Sequence, residues 1–584
     1  MAVEKLIVDH IDTWTTALQT RSTAGRGSSG KIELYGIKKL RELILELAVR
    51  GKLVPQDPND EPASELLKHI AAEKAELVKQ GKIKKPKPLP EISEEEKPFE
   101  LPAGWEWIKI SEIGHDWGQK TPDEDFTYID VGSINKEYGI IEEPSILSAK
   151  DAPSRARKIV QKGTVIYSTV RPYLLNIAII ESAFSPEPIA STAFAIIHPY
   201  TAMNANFIYY YLRSPVFINY VESCQTGVAY PAINDKQFFS GIIAVPPSSE
   251  QARITKKIKE LMSLCDQLEQ HSLTSLDAHQ QLVETLLTTL TDSQNADELA
   301  ENWARISEHF DTLFTTEASI DALKQTILQL AVMGKLVPQD PNDEPASELL
   351  KRIAQEKAQL VKDGKIKKQK PLPPISDEEK PFELPDGWEW CLFEDVVDIQ
   401  SGITKGRNLA NRKLISIPYL RVANVQRGYL DLSEVKEIDI PEEEKDKYHI
   451  IKGDLLITEG GDWDTVGRTT VWCHDWYIAN QNHVFKGRVI GQDIDPYWLE
   501  TYMNSPYSRD YFASASKQTT NLASINKTQL RGCPVAIPPS SEAEKIMLKL
   551  NDFNELCEKL KLQIQSAQQT QLHLADALTD ATIN

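Results

Sequence analysis

The sequence predicts an α+β protein in which two globular α+β heads are separated by long helices that form an antiparallel coiled coil, with an internal pseudo-twofold repeat. Three observations carry that expectation. Residues 47–107 recur 283 positions later as residues 330–390, with 52 identities in 61 positions. After each copy comes a stretch that hardly resembles its counterpart, yet both begin on Gly-Trp-Glu-Trp (104–107 and 387–390) and end on Pro-Pro-Ser-Ser-Glu (246–250 and 538–542). Beyond those endings the helix breakers vanish: there is no glycine between Gly241 and Gly334, no proline between Pro247 and Pro338, and neither residue from 540 to 584. A repeated frame with differing inserts is what a fixed scaffold presenting two interchangeable heads requires. A tandem duplication of no functional weight explains the identity but not its abrupt loss at matching boundaries.

The chain divides accordingly into an N-terminal helical region (1–103), a first head (104–249), a central region of coil helix plus second repeat (250–386), a second head (387–541) and a final coil helix (542–584). Within each repeat a helix is expected at 37–49 or 320–333, closed by Gly51 or Gly334. A Pro/Asp loop follows, then a helix at 63–79 that stops at Gly81, since glycine supplies the left-handed turn that ends helices. Next comes Lys82-Ile-Lys-Lys-Pro-Lys, an extended basic tether that fits either a solvated linker or a contact to DNA phosphates.

Each coil helix declares itself by a heptad seam. Ile254, Ile258, Leu261, Cys265 and Leu268 step by 4, 3, 4 and 3, and Ile546, Leu550, Phe553, Cys557 and Leu560 step identically. Two such helices bury their seams most simply against each other, and ~35 to 40 residues of helix make a spacer roughly 50 to 60 Å long. The heads alternate β-prone runs with turns: 126–131, 164–168 and 189–197 in the first, 418–422, 454–458 and 483–489 in the second. Shared landmarks (Lys162-Gly163 and Lys452-Gly453, Ser214-Pro215 and Ser505-Pro506, Ile233-Asn234 and Ile525-Asn526) make them one fold with different loops.

Composition narrows the function. The chain has 584 residues, 41% of them hydrophobic, enough for several cores. No apolar run approaches the ~20 residues of a membrane span, so the expectation is a cytoplasmic protein with no membrane partner. The six cysteines form no Cys-x-x-Cys pair; Cys265 and Cys557, at equivalent seam positions, read as core thiols and not as disulfides or zinc ligands. The net charge of −20 is awkward for a nucleic-acid partner, which demands local basic clusters or positive charge from another subunit.

No triphosphate loop, zinc-protease motif or dinucleotide fingerprint is present, so no catalytic residue is assigned. Cys473, His474 and His483 lack a fourth partner and a counterpart in the first half, so no metal site is assigned either. What the heads offer instead are loops rich in donors, acceptors and aromatics. In the first head these hold Gln119, Lys120, Ser168, Thr169, Arg171, Tyr173 and Tyr230; in the second, Lys405, Arg407, Arg421, Asn424, Trp463, Lys517, Thr519, Thr520 and Asn521. Arg and Lys suit the acceptors of guanine, Asn and Gln suit adenine, and Ser and Thr serve either bases or phosphates.

The alternation of repeat, variable head and glycine-free helix, with Leu47-Ala-Val-Arg-Gly-Lys-Leu-Val-Pro-Gln and its copy at 330, resembles the specificity subunit of a type I restriction-modification enzyme over the whole chain. That resemblance implies that each head reads half of a split double-stranded DNA target. It implies that the helices dock two modification subunits, which use S-adenosylmethionine to methylate adenine, and that two restriction subunits add ATP- and Mg2+-dependent translocation and cleavage. No cofactor is then expected in this chain. A structural adaptor pairing two protein-binding heads on a coiled coil is the alternative from another class, and salt-dependent binding to a split DNA site would exclude it.

Overall fold

The computed structural model describes residues 3–21, 31–84, 90–227, 229–461, 465–519 and 522–583, and these form two compact units. The first joins Lys31–Thr274 to Met1–Arg21 and Gln568–Asn584; the second takes Ser275–Ala567.

The helices of the frame are α1 (Tyr35–Val49), α2 (Ala63–Lys79), α3 (Ser248–Asp292), α4 (Ala296–Glu308), α5 (Glu317–Val332), α6 (Ala346–Lys362) and α7 (Ser540–Ile583). The coil helices α3 and α7, at 45 and 44 residues, run past their seams because nothing in the glycine- and proline-free stretches stops them. At the end of α1, Gly51 takes φ 67°, and a Cβ there would sit 2.5 Å from Pro102 Cγ and 3.0 Å from Trp105. Gly334 repeats this at the end of α5, against Pro385 and Trp388. Glycine is required in both places for its backbone angle and for the close approach of the head's first residues.

The seams are buried, but not in the way the spacing alone suggests. In the first unit Ile254, Ile258, Leu261 and Cys265 are buried, and Arg41 of α1 reaches across to Asp266 and Glu269 at 2.6 Å each. In the second, Ile546, Leu550 and Cys557 are buried, Phe553 packs edge-on against Trp303 of α4, and Lys324 of α5 meets Glu558 at 2.7 Å. Positions 41 and 324, like 266 and 558, are counterparts in the two halves, so the same contact is made twice. Each seam is covered in part by the repeat helices of its own unit, whereas the heptad pattern predicts the other coil helix. The late turns of α3 (Val283, Leu287, Leu290) share a core with Ile546, Leu550 and Cys557 of α7 in the second unit. In the first, Asp576 near the end of α7 accepts from the Tyr35 hydroxyl at 2.7 Å.

Each head leaves and rejoins its frame through one antiparallel pair. Glu106–Lys109 pairs with Ile242–Val245, and Glu389–Leu392 with Pro534–Ile537, in the same register: Trp107 opposite Ala244, Trp390 opposite Ala536. Beyond the clamp, the first head carries two four-stranded sheets. One runs Ile177–Ile179, Val165–Ser168, Phe194–Pro199, Gly114–His115; the other runs Ser145–Leu147, Phe126–Ile129, Pro188–Ser191, Ala156–Ile159. Ile129, Ile166, Ala178, Ala190 and Phe194, contributed by both sheets, are fully buried in one cluster. The run 189–197, read from sequence as one strand, is two. The register slips between Ala190 and Ser191, the Ser191 hydroxyl accepts from the Ala193 amide at 3.2 Å, and the chain crosses from one sheet to the other. The second head repeats the plan, with Leu455–Thr458 central in its four-stranded sheet and Leu414–Leu420 joined in parallel to Ala479–Asn480.

A buried carboxylate locks each clamp to its coil helix. Glu250, at the start of α3 and 1% exposed, accepts from Trp105 Nε1 at 3.0 Å and Gln56 Nε2 at 2.7 Å. Glu542 on α7 accepts from Gln339 at 3.1 Å, with Trp388 beside it. Burial raises both carboxyl pKa values above the ordinary glutamate value, opposed by these donors. The folded chain therefore holds protons there that the unfolded chain has released, and stability falls as pH rises from the ordinary glutamate value through the raised ones. Glu250→Ala strips two buried donors of their acceptor and is expected to destabilise the first unit by about 1 to 3 kcal/mol. With Glu250→Gln, the stability relative to the unsubstituted chain is expected to increase with pH across that interval. Urea unfolding at mildly acidic and at neutral pH measures both; a pH-independent difference for Gln would refute the buried-carboxylate account.

Candidate nucleic-acid interface

In both heads two loops converge at the end of the central strand, on the same backbone frame. In the first, Val165–Ser168 continues into Thr169, whose amide donates to Ala193 O at 2.8 Å and whose carbonyl accepts from Ile233 at 2.9 Å. In the second, Leu455–Thr458 continues into Glu459, whose amide donates to His483 O at 2.9 Å and whose carbonyl accepts from Ile525 at 2.8 Å. From that point the loops diverge.

The first head bridges Val170 to Ala232 and Ala232 to Thr226, and the Arg171 amide donates to Pro231 O at 2.8 Å. Arg171 (φ 50°) and Leu175 (φ 52°) hold left-handed conformations on either side of the tight turn Pro172–Leu174. A side-chain-bearing residue adopts that conformation at a cost of about 1 kcal/mol or more, and such strain clusters at functional sites. The result is an exposed group: the Arg171 guanidinium lies 4.9 Å over the Tyr230 ring, Tyr230 is 69% exposed and Tyr173 52%. Ser168 and Thr169, from the same motif, are turned inward. Their hydroxyls donate to Val170 O and Ala193 O at 2.9 Å, so they shape the loop and present nothing to solvent. Gln119 is exposed and bridged to Lys158. Lys120 sits beside it, ion-paired to Glu187 and 3.7 Å from Asp123.

The second head replaces the bridge with a ladder. Lys517–Thr519 pairs with Leu522–Ser524, which pairs in turn with Gly460–Gly461. Of the sequence candidates here, Lys517 and Thr519 lie on the ladder's outer strand, whereas Trp463, Thr520 and Asn521 lie outside the described residues. Lys405 is exposed, 5.2 Å from the Tyr419 ring, on a segment whose Ile403 amide donates to Asn480 O at 2.8 Å. Arg407 is tied to Glu444 at 2.7 Å. Arg421 donates to Glu434 Oε2 at 2.9 Å and to its carbonyl at 3.1 Å; that contact, then Lys436, holds the Glu434 carboxyl below the ordinary range. Asn424 is buried and fully used, accepting from the Arg421 amide and donating to Asp431 O and Glu434 O. The pair makes a closed turn.

One exposed pair at the convergence escaped the sequence reading. His483 Nδ1 and Glu459 Oε2 lie 2.5 Å apart, where the first head has Ala193 and Thr169. Aligning the heads on Lys162-Gly163 and Lys452-Gly453 would have exposed it, because Glu459 and His483 then fall opposite Thr169 and Ala193. Among the described residues, no group of three or more His, Cys, Asp or Glu side chains is placed to hold a metal ion, and no helix is long and apolar enough to cross a membrane.

A clamped, repeated frame carrying two versions of one loop-bearing head defines the class, and the comparisons agree. The family model for the type I restriction modification DNA specificity domain matches residues 102–278 and 385–567. The chain is 50% identical over 597 residues to the type I restriction enzyme EcoEI specificity subunit of Escherichia coli, and 51% identical over 604 residues to the EcoAI specificity subunit of the same species, in both cases covering the whole of each chain. The crystal structure of the HsdS subunit from Thermoanaerobacter tengcongensis aligns at 20% identity with a TM-score of 0.41, covering 83% of this chain and 97% of that one. The chain belongs to the family of type I restriction-modification specificity subunits.

Arg171→Ala is expected to weaken binding to a specific DNA target by roughly 1 to 3 kcal/mol and to relax preference at one base position. Asn424→Ala is expected instead to destabilise the second head by about 1 to 3 kcal/mol, with base preference intact. Competition binding against single-base target variants, alongside thermal unfolding, separates the two outcomes; uniform weakening across all sequences would reassign Arg171 to phosphate.

Proposed function

We propose that each head reads one half of an asymmetric, bipartite double-stranded DNA target. The observation that carries this reading is the identical backbone frame at 169, 193 and 233 and at 459, 483 and 525, presenting different polar and aromatic loops. A shared frame fixes where a loop stands; the loop alone then decides what it fits. Arg171, Tyr173 and Tyr230 in the first head, and Lys405, the Glu459–His483 pair and the strand Lys517–Thr519 in the second, are the proposed contacts, with Gln119 and Lys120 at the margin. Ser168, Thr169, Asn424 and the paired Arg407 and Arg421 act by shaping loops.

The frame serves partners. Two modification subunits dock on the repeated helices and methylate adenine with S-adenosylmethionine, and two restriction subunits bring ATP- and Mg2+-dependent translocation and cleavage, all in the cytoplasm; the chain itself holds no cofactor and catalyses nothing. The coil helices α3 and α7 pair antiparallel. Supporting this, the start of α3 and the end of α7 belong to the first unit, while the end of α3 and the start of α7 share the core of the second. The domain boundaries follow the clamps, at 104–249 and 387–541.

Exchanging residues 105–246 for those of a related subunit is expected to change one half of the target and leave the other. Mapping methylated adenines in cells that carry the chimaera and its modification partner shows the result. A simultaneous change in both halves, or a palindromic site, would sink the two-reader model. Methyl transfer by the lone chain would sink the assignment of chemistry to the partner.

A further inference from the structure

The second unit carries a strip of positive charge that the heads do not explain. After α6 the chain runs without regular structure through residues 367–376, and Lys365, Lys367, Lys368 and Lys370 are all exposed. Among the described residues, no carboxylate lies within ion-pair distance of any of these four ammonium groups. Their neighbours behave differently: Lys351 is paired to Glu348 and Lys380 to Asp377, each at 2.6 Å. In a chain with net charge −20, four adjacent unpaired lysines gather positive charge where carboxylates are abundant enough to cancel it.

The strip is also held in place. Arg531, side chain one-tenth exposed, donates through Nη2 to Lys370 O at 2.7 Å and through Nε to Glu394 Oε2 at 2.6 Å. Lys357 donates to the Glu394 carbonyl, fastening the same residue to α6. Lys367, Lys527 and Arg531 line one small cleft beside it, together with Glu394 and Asp398. A backbone fixed by a buried ion pair, with its charges left outward, differs from a solvated linker, which has no anchor.

We propose that Lys365, Lys367, Lys368 and Lys370 form a phosphate-contact strip that binds the DNA backbone without reading sequence, an inference that rests on the DNA-reading role above. Lys365 sits in the bend that closes α6, its amide bonded to Leu360 O; from Lys367 to Lys370 three residue steps reach about 10 Å, over which one DNA strand rises past about three phosphates at ~3.4 Å each. The strip fits a polyanion with a regular charge spacing. It also places the attraction a strongly acidic chain needs close to the duplex, where net charge at long range works against binding. The first repeat carries the same four lysines at 82, 84, 85 and 87, of which 85 and 87 lie outside the described residues.

The test is the salt dependence of DNA binding by the full chain with its modification subunits, for the unsubstituted form, a variant with all four lysines changed to alanine, and one with all four changed to arginine. Each phosphate contact contributes roughly 0.9 to the slope of log affinity against log salt. The alanine variant is expected to lose about 3 to 4 from that slope with its methylated target sequence unchanged, and the arginine variant to keep it. An unchanged slope in the alanine variant overturns the proposal. So does loss of assembly with the modification subunit at an unchanged slope, which would give the strip to an acidic protein surface. If the unsubstituted complex shows no sequence-specific binding, the DNA-reading role itself fails, and the strip proposal falls with it.

Discussion

Two short antiparallel strands hold each head to the frame, and everything variable in the molecule depends on them. The pairing of Glu106–Lys109 with Ile242–Val245, repeated at Glu389–Leu392 and Pro534–Ile537, is made by backbone amides and carbonyls, which every residue but proline carries in full. The strands also bring the first and last residues of each insert side by side. A segment whose ends are fixed together can change length and loop composition without disturbing what lies outside it. Side-chain specificity is concentrated just beyond the clamp, where Trp105, Gln56 and Glu250 tie it to α3, and there the two halves keep the same residues.

The electrostatics follow the same division. Within the frame, charges are matched: Arg41 with Asp266 and Glu269, Lys324 with Glu558, Arg253 with Asp60 at 2.5 Å. Exposed pairs of this kind contribute little each to stability, so their effect lies in register, fixing which turn of a coil helix faces which turn of the repeat. Within the heads, Arg407 and Arg421 are paired to carboxylates as well, but Arg171 and Lys405 are set against aromatic faces, over Tyr230 and near Tyr419. A cation over a ring stays available to a ligand, whereas one in a bidentate ion pair does not.

The architecture was legible because duplication and missing helix breakers are one-dimensional signals. The helix at 63–79 coincides with α2 residue for residue, and the seams fall on buried positions except at Leu268, Phe553 and Leu560, which are half-buried. What covers a seam was not legible, since a heptad states that one face is apolar without naming its partner, and Trp303 and Arg41 lie far away in sequence. The site was half legible. Arg171, Tyr173 and Tyr230, singled out because turn residues and aromatics cluster in the chain, are all exposed, with Arg171 over the Tyr230 ring. Ser168, Thr169 and Asn424 looked like candidate contacts by residue type, yet their hydroxyls and amide are satisfied by nearby backbone, a distinction that only three dimensions supply. The Glu459–His483 pair joins residues 24 positions apart through strand pairing, which no local pattern encodes.

The first unit is discontinuous: it closes only when Gln568–Asn584 joins residues made nearly three hundred positions earlier. Lys52 donates to the carbonyl of Ile583, and Ala575 and Thr579 are buried near Tyr35 and Lys39. A ribosome adding ~5 to 20 residues per second needs roughly 15 to 60 s to cover that interval. Throughout it, and from α1 onward for more than five hundred positions, Tyr35 and Lys39 lack the Asp576 carboxylate they meet in the folded unit. The unit synthesised first is the last to be completed.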